Sequence, residues 1–315
     1  MRTAICFLVT TWVMFGSASA QEFKITQQDD GATINVDGKL FARYLTKGHK
    51  KPVIWPIIGP TGKEMTRAYP FKDDPEDKKK DHIHHESFWF DHGNVNGTDF
   101  WMIGDKSGVI AHREFSKTEE GKTGLLVTKN DWLANGKKIC EDTRWIRFGT
   151  DSKSRWIDFE VEVSATEGEL KFGDTKEGAF GIRVPPSMDA DRKQDPGIIE
   201  NSEGQKNETA WGKPAKWVDY SGNVDGEKLG IAILNHPSSF RFPTTWHVQT
   251  YGLFAANPFG AKEFKVDPAK FGEHVIPPGG KMYLAYRVHF HQGDATAAEI
   301  ENVFSEYSES KLARP

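Results

Sequence analysis

Apolar and polar residues alternate with a period of two along several stretches of this chain. Ile157, Phe159, Val161 and Val163 interleave with Asp158, Glu160 and Glu162, the pattern of a strand with one face in a core and one in water. Met282, Leu284, Tyr286, Val288 and Phe290 repeat it, launched from the turn Pro277-Pro278-Gly279-Gly280. Shorter runs predict strands over 32–36, 52–58, 125–128, 144–148, 179–184 and 229–234. Turn residues punctuate them at Asp29-Asp30-Gly31, Asp37-Gly38 and Asn135-Gly136, as antiparallel connections require. Helical spacing is credible once, where Ala297, Ile300, Phe304 and Tyr307 follow Asp294 as a capping residue. The polar stretch 185–216 reads as one long loop, a length that is usually functional or mobile. No strand–helix repeat and no Gly/Ser/Pro linker divides the chain. The pattern predicts an all-β fold: one large antiparallel β-sandwich domain over 21–315, with a single C-terminal helix.

The first twenty residues read differently. Arg2, the apolar run Ile5–Phe15 and Ala18-Ser19-Ala20 have the order of a secretory signal, too short for a convincing membrane span. The expectation is an exported protein, periplasmic or extracellular, without membrane association once residues 1–20 are cleaved. Cleavage removes Cys6 and leaves Cys140 alone, so no intrachain disulfide staples the fold. Flanked by Ile139 and Glu141, Cys140 reads as a small buried hydrophobe rather than a nucleophile. Loss of Arg2 takes the 41 basic residues to 40 against 45 acidic, a net charge of −5 that argues against nucleic acid as a partner.

Chemistry concentrates in 81–101, DHIHHESFWFDHGNVNGTDFW. Imidazoles can donate or accept protons near neutrality or ligate a metal, and indole and phenyl faces suit the C–H faces of a sugar. If the segment is extended, His82 and His84 share one face and His85 points away; in a turn, His82 and His85 converge. Two or three of His82, His84, His85 and His92, with Glu86 or Asp91, have the composition of a divalent-metal site, although no His-Glu-x-x-His spacing is present. A second cluster, Phe172-Gly173-Asp174-Thr175-Lys176-Glu177-Gly178, sets carboxylates beside an ammonium, a pairing that tunes acid–base groups. A third, Thr244-Thr245-Trp246-His247-Val248, puts Trp246 and His247 on opposite faces of a strand, so one of them can face a pocket directly. These segments nominate His85, Glu177 and His247 for proton transfer. They nominate His82, Trp89, His92, Asp174, Lys176, Arg183, Trp211, Trp246 and Asn257 for substrate contact. His49, His274, His289 and His291 read as surface or edge residues.

Six segments occurring in order carry a family resemblance: ARYL…KPVIWPIIGPTGKEMTRAYP, the histidine-rich stretch, FGDTKEGAFGIRV, NSEGQ…WGKPAKWVDYSG, GIAILNHP and TTWHVQTYGLFAANPFG. Together they resemble the secreted "PmoA-like" or DUF6807 family. The name evokes a methane monooxygenase subunit, an integral membrane protein with long apolar helices that this chain lacks after residue 20. The resemblance implies a sandwich similar to the supersandwich of aldose epimerases and galactose mutarotases, and a setting of polysaccharide degradation. It supplies no catalytic assignment. The chain departs from the family pattern at Ile83 in place of a proline, at Glu86 in place of a basic residue, and at Phe242 where a histidine is frequent.

The function expected on these grounds is acid–base chemistry on a sugar or oligosaccharide by an exported epimerase, lyase or hydrolase. Two alternatives stand beside it: a non-catalytic carbohydrate-binding protein, and a histidine-rich metal-dependent oxidoreductase.

Overall fold

A computed structural model describes residues 21–314; the leader expected over residues 1–20 lies outside them. Two eight-stranded sheets with antiparallel pairing throughout form the molecule. The first runs in the order Phe23–Gln28, Gly31–Val36, Lys39–Leu45, Val53–Ile57, Phe88–His92, Gly178–Arg183, Leu253–Ala256, Trp246–Val248. The second runs Ile198–Asn201, Trp217–Val224, Glu227–Asn235, Lys281–Gln292, Arg155–Ser164, Lys137–Thr150, Gly124–Ala134, Val109–Glu119. A small ladder pairs Leu170–Phe172 with His274–Ile276.

The alternating strands do what their patterns dictate. Phe159 of the second sheet meets Phe88 and Phe180 of the first at ring separations of 5.4 and 5.2 Å, and Phe180 stacks on Tyr286 at 4.6 Å. Each such ring, fully removed from water, contributes roughly 1.5–3 kcal/mol. Cys140 is buried in this core, as its neighbours imply. One charged group lies within it. Asp142 accepts two hydrogen bonds from Arg144, at 3.0 and 2.9 Å, one from Asn130 at 2.6 Å and one from Trp132 Nε1 at 2.8 Å. A buried carboxylate is tolerable only with such complete pairing.

Three expectations need correction. The polar face of Arg155–Ser164 is not wet. Asp158 pairs with Arg287 at 2.6 Å, and Glu160 accepts from the Tyr283 hydroxyl at 2.7 Å and from the backbone of Arg314. The C-terminal helix Ile300–Ser308 packs Ile300, Phe304 and Tyr307 against Trp217, Ala232 and Leu234 of the same sheet, covering much of that face. Asp294 does not cap the helix itself but holds the turn before it, accepting from Ala297 N at 3.0 Å. The stretch 185–216 is not one loop either, since it contains the edge strand Ile198–Asn201 and two short 3-10 turns.

Candidate functional site

The site residues gather on the outward face of the first sheet, around its two middle strands. In Phe88–His92, Phe88 and Phe90 enter the main core, while Trp89 belongs to a separate apolar layer with Trp101, Leu253 and Ala255 on the far side. The register aligns Trp89 with Gly181, Gly181 with Ala255, and Ala255 with His247. This row crosses four strands, roughly 14 Å at the usual interstrand spacing. Glycine is required at 181 because a Cβ there would sit 2.6 Å from the Trp89 indole.

His82–His85 forms a turn, with His85 N donating to His82 O at 2.9 Å, so the convergent alternative holds. The rings then build a column. His85 stacks on Trp89 at 5.5 Å, His82 on His85 at 4.9 Å and Tyr251 on His82 at 5.2 Å, with interplanar angles of 9°, 5° and 12°. Imidazoles stacked face to face do not aim their nitrogens at a common point. Accordingly, among the described residues no three His, Cys, Asp or Glu side chains converge as a metal-holding group. The metal set proposed from His82, His84, His85 and His92 is further split by His92, which lies on the opposite, inward face between Phe172 and Phe259, its Nε2 2.8 Å from Gly173 O. That position also removes His92 from substrate contact.

Beneath the column sits a buried ion pair. Lys51 Nζ lies 2.6 Å from Asp91 Oδ2 and also donates to the carbonyls of His84, at 3.2 Å, and Trp101, at 3.3 Å. Its three protons are thereby spent on fixing the histidine turn against the sheet. Burial pushes the Asp91 carboxyl up toward about 7, with the Lys51 ammonium opposing. Burial, then Lys51, holds His84 down at about 4. His85 is also driven well down, first by burial and then by His84 and Arg183. Arg183 Nη1 lies 3.1 Å from His85 Nδ1. Arginine can only donate, so His85 carries its proton on Nε2.

At the top of the column the groups are open to solvent. His82 Nδ1 lies 3.2 Å from Asp81 Oδ2. Arg67 anchors Asp81 by donating to its carbonyl at 2.7 Å and its carboxylate at 3.3 Å. Although burial opposes it, contacts with His82, Arg183 and Arg67 hold the Asp81 carboxyl below its ordinary value. Lys176 and Glu177, both partly exposed, are in direct contact with each other. Burial raises the Tyr251 hydroxyl to about 12, with Arg183 opposing and both Glu177 and Asp81 reinforcing. Tyr251, stacked on His82, is thus a group on which both Asp81 and Glu177 act.

The remaining expected residues divide. Asn257 is consumed structurally, donating to the carbonyls of Thr175 and Lys176 at 2.9 Å each and accepting from Phe259 N at 3.0 Å. It shapes the Thr175–Glu177 loop and has no polar atom left for a sugar. Asp174 accepts from Lys262 N at 3.1 Å. Trp246 is the core-facing member of its pair, with Nε1 bonded to Ala215 O at 3.0 Å, so it offers no stacking face. His247 faces outward but is 2 % exposed, packed against Trp211 and Phe264, and burial followed by Lys176 holds it at about 3. His85 is 1 % exposed under His82. Neither His85 nor His247 therefore presents an edge to solvent, whereas His82, Glu177 and Lys176 do; Trp211 is partly exposed, with its Nε1 buried. His49, read as a surface residue, instead pairs with buried Glu86 at 2.6 Å. Lys51, Arg67, Asp81 and Tyr251 were absent from the expected set, although Asp81 heads the 81–101 stretch and Tyr251 stands beside Gly252 in the TTWHVQTYG segment.

No curated protein matches the chain. Among solved structures, a β-arabinopyranosidase aligns with a TM-score of 0.36 at 9 % identity, over 88 % of this chain and 39 % of that one. A galactose mutarotase related enzyme from Lactobacillus acidophilus aligns with a TM-score of 0.33 at 8 % identity, over 86 % and 97 %. A polysaccharide lyase aligns with a TM-score of 0.29 at 11 % identity, over 88 % and 33 %. The chain thus spans about two fifths of the arabinopyranosidase and a third of the lyase. By sequence, residues 31–305 match a family described as being of unknown function, DUF6807, and the chain belongs to that family.

Proposed function

We propose that the protein is an exported carbohydrate-active enzyme that performs acid–base chemistry on a sugar or oligosaccharide, with His82 and Glu177 as the proton-transferring pair. The observation that carries this reading is the stack of Tyr251 on a solvent-reaching His82 held by Asp81, with Glu177 near enough to act on the Tyr251 hydroxyl. Asp81 holds one imidazole nitrogen and leaves the other free, the arrangement that orients a general acid or base. Glu177, partly exposed beside an ammonium, supplies the complementary carboxylate. Ammonium, guanidinium, carboxylate and phenol are closely set with opposite charges balanced, which suits a neutral ligand rich in hydroxyls. His85 takes a supporting role: neutral and fixed by Arg183, it holds the His82 ring in plane from below.

Incubation of the mature protein with a panel of mono- and oligosaccharides, followed by product analysis, tests this reading. His82→Ala and Glu177→Gln are each expected to lower turnover by about 10² to 10⁴ with the fold intact. Turnover that survives both substitutions rejects the assignment. Glycan binding without any product over long incubation favours the binding-protein alternative.

A further inference from the structure

The second sheet carries polar residues of its own beside the C-terminal helix. A cavity of about 620 Å³ opens between the 151–154 turn, the end of strand Lys281–Gln292 and the segment entering the helix. That volume is in the range of small-molecule sites. His289 and His291, two residues apart on one strand, both line it and are 6 % and 2 % exposed. Their hydrogen bonding differs. His291 has Nε2 at 2.7 Å from Asp219 Oδ1 and Nδ1 at 3.3 Å from Gln292 O. His289, in contrast, has a buried Nδ1 without any partner. An unpaired buried polar atom costs about 1–3 kcal/mol, and where its side chain lines a cavity a ligand can supply the partner that is missing among the described residues.

Lys153 stands at the cavity with the carboxylates of Asp151 and Glu299, which can accept hydrogen bonds from hydroxyls, and Asp219 pairs with His291 behind the lining. Burial, reinforced by His291 and Arg287, holds His289 at about 3, so its ring is uncharged at neutral pH. A neutral imidazole presents one donor and one acceptor, the complement of a hydroxyl rather than of an ion. Asp151 fixes the rim by accepting from Lys153 N, at 2.7 Å, and Ser154 N, at 2.8 Å. Apolar Ala297, Ala298 and Val303 line the helix side.

We infer that this cavity is a second ligand site, on the sheet opposite the proposed catalytic face, that binds a neutral polyhydroxylated molecule of mono- or disaccharide size through His289. The site shares no residue with the first, so it stands or falls independently of the proposed reaction.

The experiment is calorimetric titration of the mature protein with D-glucose, D-galactose, D-xylose and cellobiose. It is repeated on a His82→Ala/Glu177→Gln variant, in which the first site is disabled. At least one sugar is expected to bind this variant. Affinity should fall by about tenfold or more in a His289→Leu derivative, as the loss of a buried hydrogen bond implies. Ala298→Trp fills the cavity without touching a buried polar group and is expected to abolish the same binding. Silence of the first-site variant toward all four sugars overturns the inference, as does binding that persists in Ala298→Trp. Loss of turnover with retained binding, or the reverse, separates the two sites.

Discussion

Replacing Lys51 by methionine removes the ammonium under the histidine column while nearly preserving its volume. Three hydrogen bonds go with it, to Asp91 Oδ2, His84 O and Trp101 O. Asp91 Oδ1 already lacks a partner, so the carboxylate would be left buried and unpaired. Breaking a buried pair from one side costs about 3–5 kcal/mol, a large part of the roughly 5–15 kcal/mol available to a folded protein. The deficit must also depend on pH. Burial already raises the Asp91 carboxyl toward about 7 from its ordinary 3.8, and removal of the cation raises it further. A folded-state value above the unfolded one means that protonation favours the folded chain. The Lys51→Met deficit therefore grows as pH rises above about 7 and is at its minimum below that, where the Asp91 carboxyl is protonated in both folded chains. Urea unfolding followed by tryptophan fluorescence at pH 8 and pH 5 measures it. The double variant Lys51→Met/Asp91→Leu should recover most of the loss and show no such pH dependence. A deficit under about 1 kcal/mol at pH 8, or a double variant no better than the single, refutes the reasoning.

Other outcomes follow from the same structure. Asp142→Ala strands Arg144 in the core, which should cost about 3–5 kcal/mol and lower Tm by on the order of 10 °C; an unchanged melting curve would show the network to be dispensable. His92 is held at about 4 by burial, below its unfolded value. Its contribution is thus complete above pH 6.5 and is lost as pH falls toward 4. Relative to His92→Phe, the wild type should lose about 2 kcal/mol between pH 8 and pH 5, read from urea titrations; parallel pH profiles would exclude a buried neutral imidazole.

The most legible strands were those whose two faces differ, although the apolar runs 179–184 and 229–234, buried on both faces, also stood out. Arg155–Ser164 and Lys281–Gln292 alternate because one side enters the main core, even though the polar side turned out to be covered by the C-terminal helix and tail rather than by water. Phe88–His92 gave no such signal. All five of its residues are buried, so a strand in the middle of the sheet reads as an undifferentiated aromatic run. The choice between extended and turned conformations for His82–His85 depends on a lysine 31 or more residues earlier in the chain holding the His84 carbonyl, and nothing local in the sequence encodes that contact. The functional residues were recognised by type, but their ranks were set by depth. His85, His92 and His247 have the same side chain as His82, and only packing distinguishes the one that reaches solvent.

Depth also bears on how the candidate site could work. Its floor, Trp89 and Trp101 over Gly181 and Ala255, is rigid sheet. Its middle layer, His84 and His85, is uncharged by burial and fixed from below by Lys51 and from the side by Arg183. Only the top layer, which includes Asp81, His82, Lys176 and Glu177, is open enough to meet the ligand of the proposed reaction. Of the proposed proton-transferring pair, His82 stands on stacked neutral rings. That is the preorganisation acid–base chemistry benefits from. The same layering accounts for the cluster of aromatic and histidine residues in 81–101. Most of those side chains form the support, and one imidazole, His82, reaches solvent.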